Sequence, residues 1–359
     1  MNILLLGEFS SLHKYLKEGL IELGHNVILA SSGDGFKKIG GADIIYPETN
    51  GSLIHDIRSL YIDPIVLSHK LKNFDVIQVI HPRIFSKIIN RQLLGFLFDN
   101  NGISSLVAAG EDYANYKAYK LGTFEYSAYD FDNSITNQYE GNSIRTRSLI
   151  KQNEFVVNKC DVIIPSLYEY WTGYKDNLKC TNVVPFPINT SKIEYHDNNV
   201  IGDKVVFFHG LNRPAAKGTE FIREALMRLK KNYPNDVEII IDGHMPFDKY
   251  MKVISKANVI VDQCCGYGYG INACISMAQG KVVMSGARHE TLTSFGIDSS
   301  PIVHICPSVD FIYRQMKSII ENKNKICEIG YQSRQYVETL HNYKNVARQY
   351  LEIWDRYKS

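Results

Sequence analysis

The sequence predicts an α/β protein made of two doubly wound, parallel-sheet domains, and three observations carry that expectation. Short apolar runs alternate with amphipathic stretches, a rhythm that fades after residue 187 and restarts at residue 205. A chain of 359 residues is too long for one ordinary core and fits two of roughly 150–200 residues. Finally, the stretch Val259–Gly286 (VIVDQCCGYGYGINACISMAQGKVVMSG) reads as a buried strand, a glycine-rich turn, a helix and a second buried strand.

The first domain opens with an apolar strand at Ile3–Leu6, a helix at Lys14–Leu23 with Leu16, Leu20 and Leu23 at helical spacing, and a strand at Val27–Ala30. Strand, helix and strand within about 30 residues form a βαβ unit, which requires a parallel sheet. Further strands are expected at Asp43–Tyr46, Val76–Ile80, Ser105–Ala109 and Asp161–Pro165, with helices at Ile84–Asn100 and Thr146–Lys159. Between the last two strands, Tyr113–Arg145 is rich in Tyr, Asn, Asp and Ser and has poor periodicity. A segment of that length is a functional loop or an excursion with short helices.

Pro185–Lys204, proline-punctuated and then polar, marks the boundary. Beyond it come strands at Val205–His209, Val237–Ile241, Val259–Val261, Lys281–Met284 and Ile302–Ile305. Helices at Thr219–Lys230, Phe247–Ser255, Asn272–Gln279 and Val309–Asn322 alternate with them. The tail Ile329–Lys358 is helical with a break near Asn342. The expected division is 1–187, 188–340 and a closing helix at 341–359.

Composition narrows the function classes. A net charge of +2 gives no general electrostatic case for nucleic acid. The seven cysteines include no CxxC pair, so zinc spacing is absent and free thiols in a reducing cytosol are expected. The opening MNILLLGEF is a strand and not a leader peptide, and no stretch approaches the ~20 apolar residues of a membrane span. The expectation is a cytoplasmic protein, with at most weak peripheral contact at the inner membrane face.

The glycine-rich turn is the strongest chemical signal. A helix that starts there directs unpaired N–H groups and its positive dipole end at whatever sits in front, usually a phosphate. Glycines let the backbone approach such a ligand without an intervening Cβ. The first turn of the chain, Gly7–Leu12 (GEFSSL), is not the GxGxxG of dinucleotide-binding sheets, which weighs against an NAD enzyme.

Several passages resemble the GT-B glycosyltransferases, in particular the retaining family 4 (glycosyltransferase group 1) type. MNILLLGEFSSLHKYLKEGLIELGHNV is similar to the opening of that family's acceptor domain. VVFFHGLNRPAAKGTEFIREALMRL is similar to the start of its donor domain, ANVIVDQCCGYGYGINACISMAQGKVVMSG to its donor segment, and LHNYKNVARQYLEIW to its closing helix. The resemblance covers most of the chain, with the RxxxKG run Arg213–Gly218 and the segment Gly270–Gly280 as its specific parts. It implies two Rossmann-like domains facing a cleft, with the C-terminal helix crossing back to the N-terminal domain. It also implies transfer of a sugar from a nucleotide sugar to a glycan or lipid-linked glycan in surface polysaccharide or glycoconjugate synthesis. The alternatives are a non-catalytic nucleotide- or glycan-binding protein of the same fold and a nucleotide-sugar epimerase.

One departure stands out. The family carries two glutamates eight positions apart, where this chain has Tyr267 and Ile275. The second of these normally holds the ribose hydroxyls, and Asn272 and Gln263 are the nearest polar substitutes. The resemblance also places a donor set at His209, Arg213, Lys217, Gln263, Gly268, Tyr269, Gly270 and Asn272. Arg213 and Lys217 would offset the charge that grows on a departing diphosphate, Arg by a bidentate grip and Lys as a point charge. Each could equally be a solvated loop charge. An Asp130-Phe131-Asp132 run is too short to argue for a metal, so no cofactor is expected. Asp112, Glu111 and His13 are the catalytic candidates, a carboxylate at a strand end being placed to take the proton of an acceptor hydroxyl. The bland reading of Asp112 is a helix N-cap.

Overall fold

The protein is described here by a computed structural model covering residues 1–200, 204–243, 245 and 247–358. The polar stretch that closes the expected boundary runs into Ile201–Asp203, which lie outside the described residues. The chain forms two compact units. The first contains residues 1–123, 134–187 and 343–359, and the second contains residues 124–133 and 188–342.

The first unit is built on six parallel strands: β1 (Asn2–Leu6), β2 (Asn26–Ser31), β3 (Ile44–Ile45), β4 (Val76–Val79), β5 (Ile103–Ala108) and β6 (Val162–Pro165). Their spatial order is β3-β2-β1-β4-β5-β6, with Ile3 paired to Val27 on one side and Val76 on the other. Every residue of β4, β5 and β6 is buried, because helices cover both faces of a parallel sheet and leave no solvated side for polar alternation. Leu4, Leu6, Val79, Leu94, Leu97, Leu106 and Ile163 meet in one core.

The second unit has five parallel strands: β7 (Val205–Gly210), β8 (Val237–Asp242), β9 (Val259–Val261), β10 (Val282–Ser285) and β11 (Val303–His304). Their order is β11-β10-β9-β7-β8, around a core that includes Phe207, Leu226, Val261, Met284 and Ile312. In each sheet the order reverses beside the first strand, between β1 and β4 and between β7 and β9. Loops at the carboxyl ends of such strand pairs form the usual ligand crevice of open α/β sheets.

Three expectations change. The helix expected from Ile84 begins only at Asn90. The buried Asn90 side chain accepts from the N–H groups of Ile84 and Phe85, both at 2.9 Å, and donates to the Pro82 carbonyl at 2.9 Å. Those bonds hold residues 82–85 as a fixed loop. Between β3 and β4, helices at Leu53–Ile57 and Asp63–Ser68 joined by a wide turn at Arg58–Ile62 appear where the sequence showed no clear element. Residues 124–133, read as part of the first domain's excursion, pack with the second unit, for reasons given below.

The tail divides as its sequence break implies. Helix Ile326–Leu340 packs in the second unit against helix Ile271–Ala278, whereas Tyr343–Asp355 packs in the first unit against Leu12–Glu22. Tyr343 donates to Glu22 at 2.6 Å and Lys344 pairs with the same carboxylate at 2.6 Å. The two helices touch at Gly19, where an added Cβ would lie 2.4 Å from the Tyr343 carbonyl oxygen. Backbone cannot yield there as a flexible side chain would. Gly19→Val should therefore cost about 2 kcal/mol by overpacking, measurable as a lower urea midpoint with an unchanged slope.

Candidate functional site

In the second unit, the loop after β7 and the turn after β9 are stitched together. The Cys264 N–H donates to the Lys217 carbonyl at 3.0 Å, and the Lys217 ammonium pairs with Asp262 Oδ1 at 2.8 Å. Asp262 is buried at the end of β9, and its second oxygen accepts from Ser285 at 3.3 Å. Lys217 is thus not the free cation the sequence led us to expect; its charge is committed to a carboxylate that sequence reading passed over. Arg213, in the same loop, is exposed and holds a left-handed backbone, φ 59°, a conformation costly for a residue with a Cβ and common at functional sites.

The glycine-rich turn is braced from within. Gln263 donates to the Gly268 carbonyl at 3.0 Å, so this side chain shapes the turn instead of waiting for a ribose. Gly286 packs beneath, where a Cβ would come within 2.3 Å of the Gly266 oxygen and 2.6 Å of the Gly268 oxygen. Helix Ile271–Ala278 then starts at Gly270, which is its N-cap with extended backbone and has open space where a Cβ would stand. Every residue of this helix is buried except Asn272. The Asn272 side chain, in the first turn, has no hydrogen-bond partner among the described residues.

Two of the expected donor contacts are structural. His209 is fully buried, with Nδ1 2.7 Å from the Val261 carbonyl and Nε2 2.8 Å from the Thr219 hydroxyl. Burial lowers its pKa to about 4, so the ring is neutral, donates from one nitrogen and accepts at the other. Neither is left for a ligand. Tyr269 is also fully buried, its hydroxyl bonded to Tyr336 at 2.6 Å and His341 at 3.0 Å. The thiols of Cys264 and Cys265, 4.0 Å apart and buried, are packing groups, and the hydrogen bond between them together with burial pushes the Cys264 thiol well above its ordinary pKa.

Tyr267 and Ile275, the two positions singled out by the sequence resemblance, are both buried. Ile275 is fully buried in its helix. Tyr267 is nearly as buried and anchors residues 124–133: its hydroxyl accepts from the Glu125 N–H at 2.7 Å, and its ring meets Phe124 at 5.4 Å and Tyr126 at 5.3 Å. The Arg288 guanidinium lies 4.4 Å over the Tyr267 ring and pairs with Glu125 at 2.6 Å. Phe131 meets Phe221 at 5.3 Å. These aromatic contacts bind the excursion to the second unit. Asp130, in the DxD run, closes a capping box with Ser127.

In the first unit, His13 is fully buried, with Nδ1 2.7 Å from the Gly7 carbonyl and Nε2 3.1 Å from the Gln78 amide. Burial lowers it to about 4, so this candidate is a neutral, fully bonded core residue. Asp112 is the N-cap of helix Tyr113–Lys120: one oxygen accepts from the Asn115 N–H at 3.0 Å and the other from the Tyr174 hydroxyl. Burial raises its pKa and lowers that of the neighbouring His81. His81 accepts from the Arg83 N–H at 2.9 Å and bonds the Glu111 carbonyl at 3.4 Å. The Glu111 backbone, if not its carboxylate, therefore belongs to the same cluster.

Sequence reading missed Glu8. It sits at the end of β1, almost fully buried, and its carboxylate accepts from the N–H groups of His13 at 3.3 Å and Lys14 at 2.8 Å. Burial dominates those bonds and raises it to about 7. Ser10 and Ser11 beside it are both left-handed, φ 53° and 77°, with the Ser10 N–H tied to Asp34 at 2.9 Å. Two consecutive strained serines at a strand end mark a loop held in a set shape. The available signal was an acid directly after a strand-ending glycine.

Among the described residues, no group of three or more His, Cys, Asp or Glu is placed to hold a metal ion, and no helix is long and apolar enough to cross a membrane.

No family model matches the chain, and no curated protein matches it by sequence. Solved structures do match along its whole length. Sucrose-phosphate synthase from Thermosynechococcus elongatus is similar with a TM-score of 0.65 at 14% identity, over 99% of both chains. The Anabaena protein HepE, solved with UDP and glucose, gives 0.63 at 9% identity over 99% of this chain and 100% of its own. A candidate UDP-N-acetylglucosamine 2-epimerase from Listeria monocytogenes gives 0.53 at 11% identity over 98% and 95%. At such identities the likeness establishes the fold: two Rossmann-like α/β domains of the GT-B type.

Two predictions test the site's groundwork. Lys217→Ala strands a buried carboxylate and should cost about 3 kcal/mol, of which Asp262→Asn in the same chain should restore a large part; equilibrium unfolding in urea measures both. Glu8 titrates near 4.5 when unfolded and at about 7 when folded. Over that window the folded state binds more protons, so this group lowers stability as pH rises from about 4.5 to about 7. Glu8→Gln removes the dependence while its lost N–H bonds shift stability equally at every pH. The melting temperature of the variant minus that of wild type should climb across the window and level above it.

Proposed function

We propose that the protein is a glycosyltransferase that moves a sugar, a hexose in our reading, from a nucleotide sugar to an acceptor hydroxyl. The second unit takes the donor and the first takes the acceptor, a glycan or lipid-linked glycan in surface polysaccharide or glycoconjugate synthesis. The work would be done in the cytoplasm, with any membrane contact peripheral and on the inner face.

One observation carries this reading. Helix Ile271–Ala278 is sealed on every side except its first turn, where Gly270 leaves open space and Asn272 presents an unpartnered amide. Unpaired N–H groups at a helix start favour an anion, and a diphosphate supplies one. The loop stitched to the same turn presents Arg213, which would take the charge developing on the leaving group. With side-chain cation and peptide dipoles in these roles, we propose that transfer needs no metal. Asn272 is positioned to replace a ribose contact that buried Ile275 cannot make. In the first unit, burial raises the carboxyls of both Glu8 and Asp112; Glu8, at about 7, lies near the operating pH, the condition that favours proton transfer.

A second reading has specific support. Both glutamate positions carry buried residues without a carboxylate, Tyr267 and Ile275, which favours a nucleotide-binding protein that does not transfer. Product analysis with and without acceptor separates the two, and would also expose an epimerase, as the likeness to the Listeria protein makes worth checking.

The direct test is a thermal-shift screen against UDP-, GDP-, CMP- and dTDP-sugars, since a ligand of the folded state raises its melting temperature. UDP-glucose comes first because HepE has been solved with it. Arg213→Ala should weaken nucleotide binding by about 2 kcal/mol, roughly thirtyfold, and Asn272→Ala by about 1 kcal/mol. The ligand-free melting temperature of each should stay close to wild type, because neither side chain is buried. Unchanged affinity in both variants would remove the site.

A further inference from the structure

A cluster of cations in the first unit takes no part in the donor reading. Arg83 and Lys87, from the loop after β4, and Arg145, from the start of helix Ile144–Lys159, line one cavity of about 340 Å³. Ser86 and Ser148 add hydroxyls to its wall, and Phe85 and Leu149 supply apolar lining. All three cations are exposed, and none has a carboxylate within ion-pair distance among the described residues. Like charges gathered in one hollow without an acid repel one another, a cost that an anion seated between them would turn into a gain.

The hollow is also fixed in shape. The three bonds of buried Asn90 pin the loop that carries Arg83, and the Ser143 side chain caps the helix that carries Arg145 by accepting from the Thr146 N–H at 3.0 Å. Arg83 acts electrostatically on His81 and Tyr139, both of which also feel Asp112. The cations therefore lie beside the carboxyl-end cluster of β4 and β5. Their chain neighbours Ile88 and Ile144 are 60% and 81% exposed, unusual for large aliphatic side chains next to a polar hollow.

We propose that Arg83, Lys87 and Arg145 form a binding site for a phosphate or diphosphate group carried by the acceptor. Guanidinium groups grip phosphate oxygens in pairs, the lysine adds a point charge, and the serines donate hydrogen bonds. The exposed isoleucines suit a phosphate borne on an apolar chain, whereas a soluble sugar phosphate would use the cations alone. Calling the bound molecule the acceptor rests on the glycosyltransferase reading; the anion site itself does not.

The test compares wild type with the Arg83→Gln/Arg145→Gln double variant, by calorimetry with inorganic pyrophosphate and by co-sedimentation with phosphatidylcholine vesicles with and without phosphatidic acid. UDP is kept at saturation so that the second unit's site does not report. Both substituted side chains are exposed, so the melting temperature should hold and confirm folding. The site predicts at least about a tenfold loss in the double variant, along with a steep weakening of wild-type binding by salt. Loss seen with pyrophosphate identifies a soluble phosphate as sufficient, and loss confined to phosphatidic acid vesicles identifies a lipid-borne one. Equal binding by both proteins, or binding of neither probe by wild type, overturns the proposal. Failure of the donor reading shows separately, as unchanged UDP affinity in Arg213→Ala, and does not alter this comparison.

Discussion

Parallel strand pairing is the constraint from which the rest follows. A parallel neighbour can be reached only by a crossover, so each strand hands its chain to a helix at the same edge of the sheet. The carboxyl ends of β1, β4 and β5 in the first unit, and of β7 and β9 in the second, therefore collect loops that carry no ladder hydrogen bonds of their own. Apart from His209, at the end of β7 itself, and Arg145, which opens a later helix, the candidate groups described above lie in those loops or in the first turn of the helix that follows. Buried strands have no surface on which to place chemistry, and the opposite edge offers carbonyl-bearing helix ends that suit cations instead.

Within those loops, burial sorts polar residues into two kinds. His13, His209 and Tyr269 are polar and buried, and each has its hydrogen-bonding groups engaged by backbone or neighbouring side chains. A buried polar group left unpaired costs roughly 1–3 kcal/mol, so such residues are bound to the scaffold before any ligand arrives. Lys217 and Asp262 extend the rule to charge, since each makes the other tolerable away from water. Asn272 stands on the other side of this division, half-buried in the first turn of its helix with no hydrogen-bond partner among the described residues.

Residues 124–133 are held to the second unit by one side chain above all. Tyr267 offers a ring and a hydroxyl, and both are used to hold Phe124, Glu125 and Tyr126. Arg288 completes the arrangement by stacking on the ring while pairing with Glu125. A glutamate there could not support this packing, because a carboxylate has no face on which a ring or guanidinium could stack. Tyr267, Arg288 and residues 124–126 thus form one consistent local structure.

The sequence by itself determined the periodic and the covalent: which runs are buried strands, that they pair in parallel, that the rhythm restarts once, and that the chain breaks near Asn342 before a closing helix. Those features are written in neighbouring residues, because apolar spacing and turn chemistry act over a few positions. Tertiary structure alone decided the partners. Asp262 lies 45 residues from Lys217, Gln78 lies 65 from His13, and Glu125 lies 163 from Arg288. No local pattern can encode a contact across such separations. The fold therefore decided that Lys217 is spent, that His13 and His209 are neutral, and that Glu8 is raised to about 7, since each outcome depends on burial and on groups brought in from far along the chain.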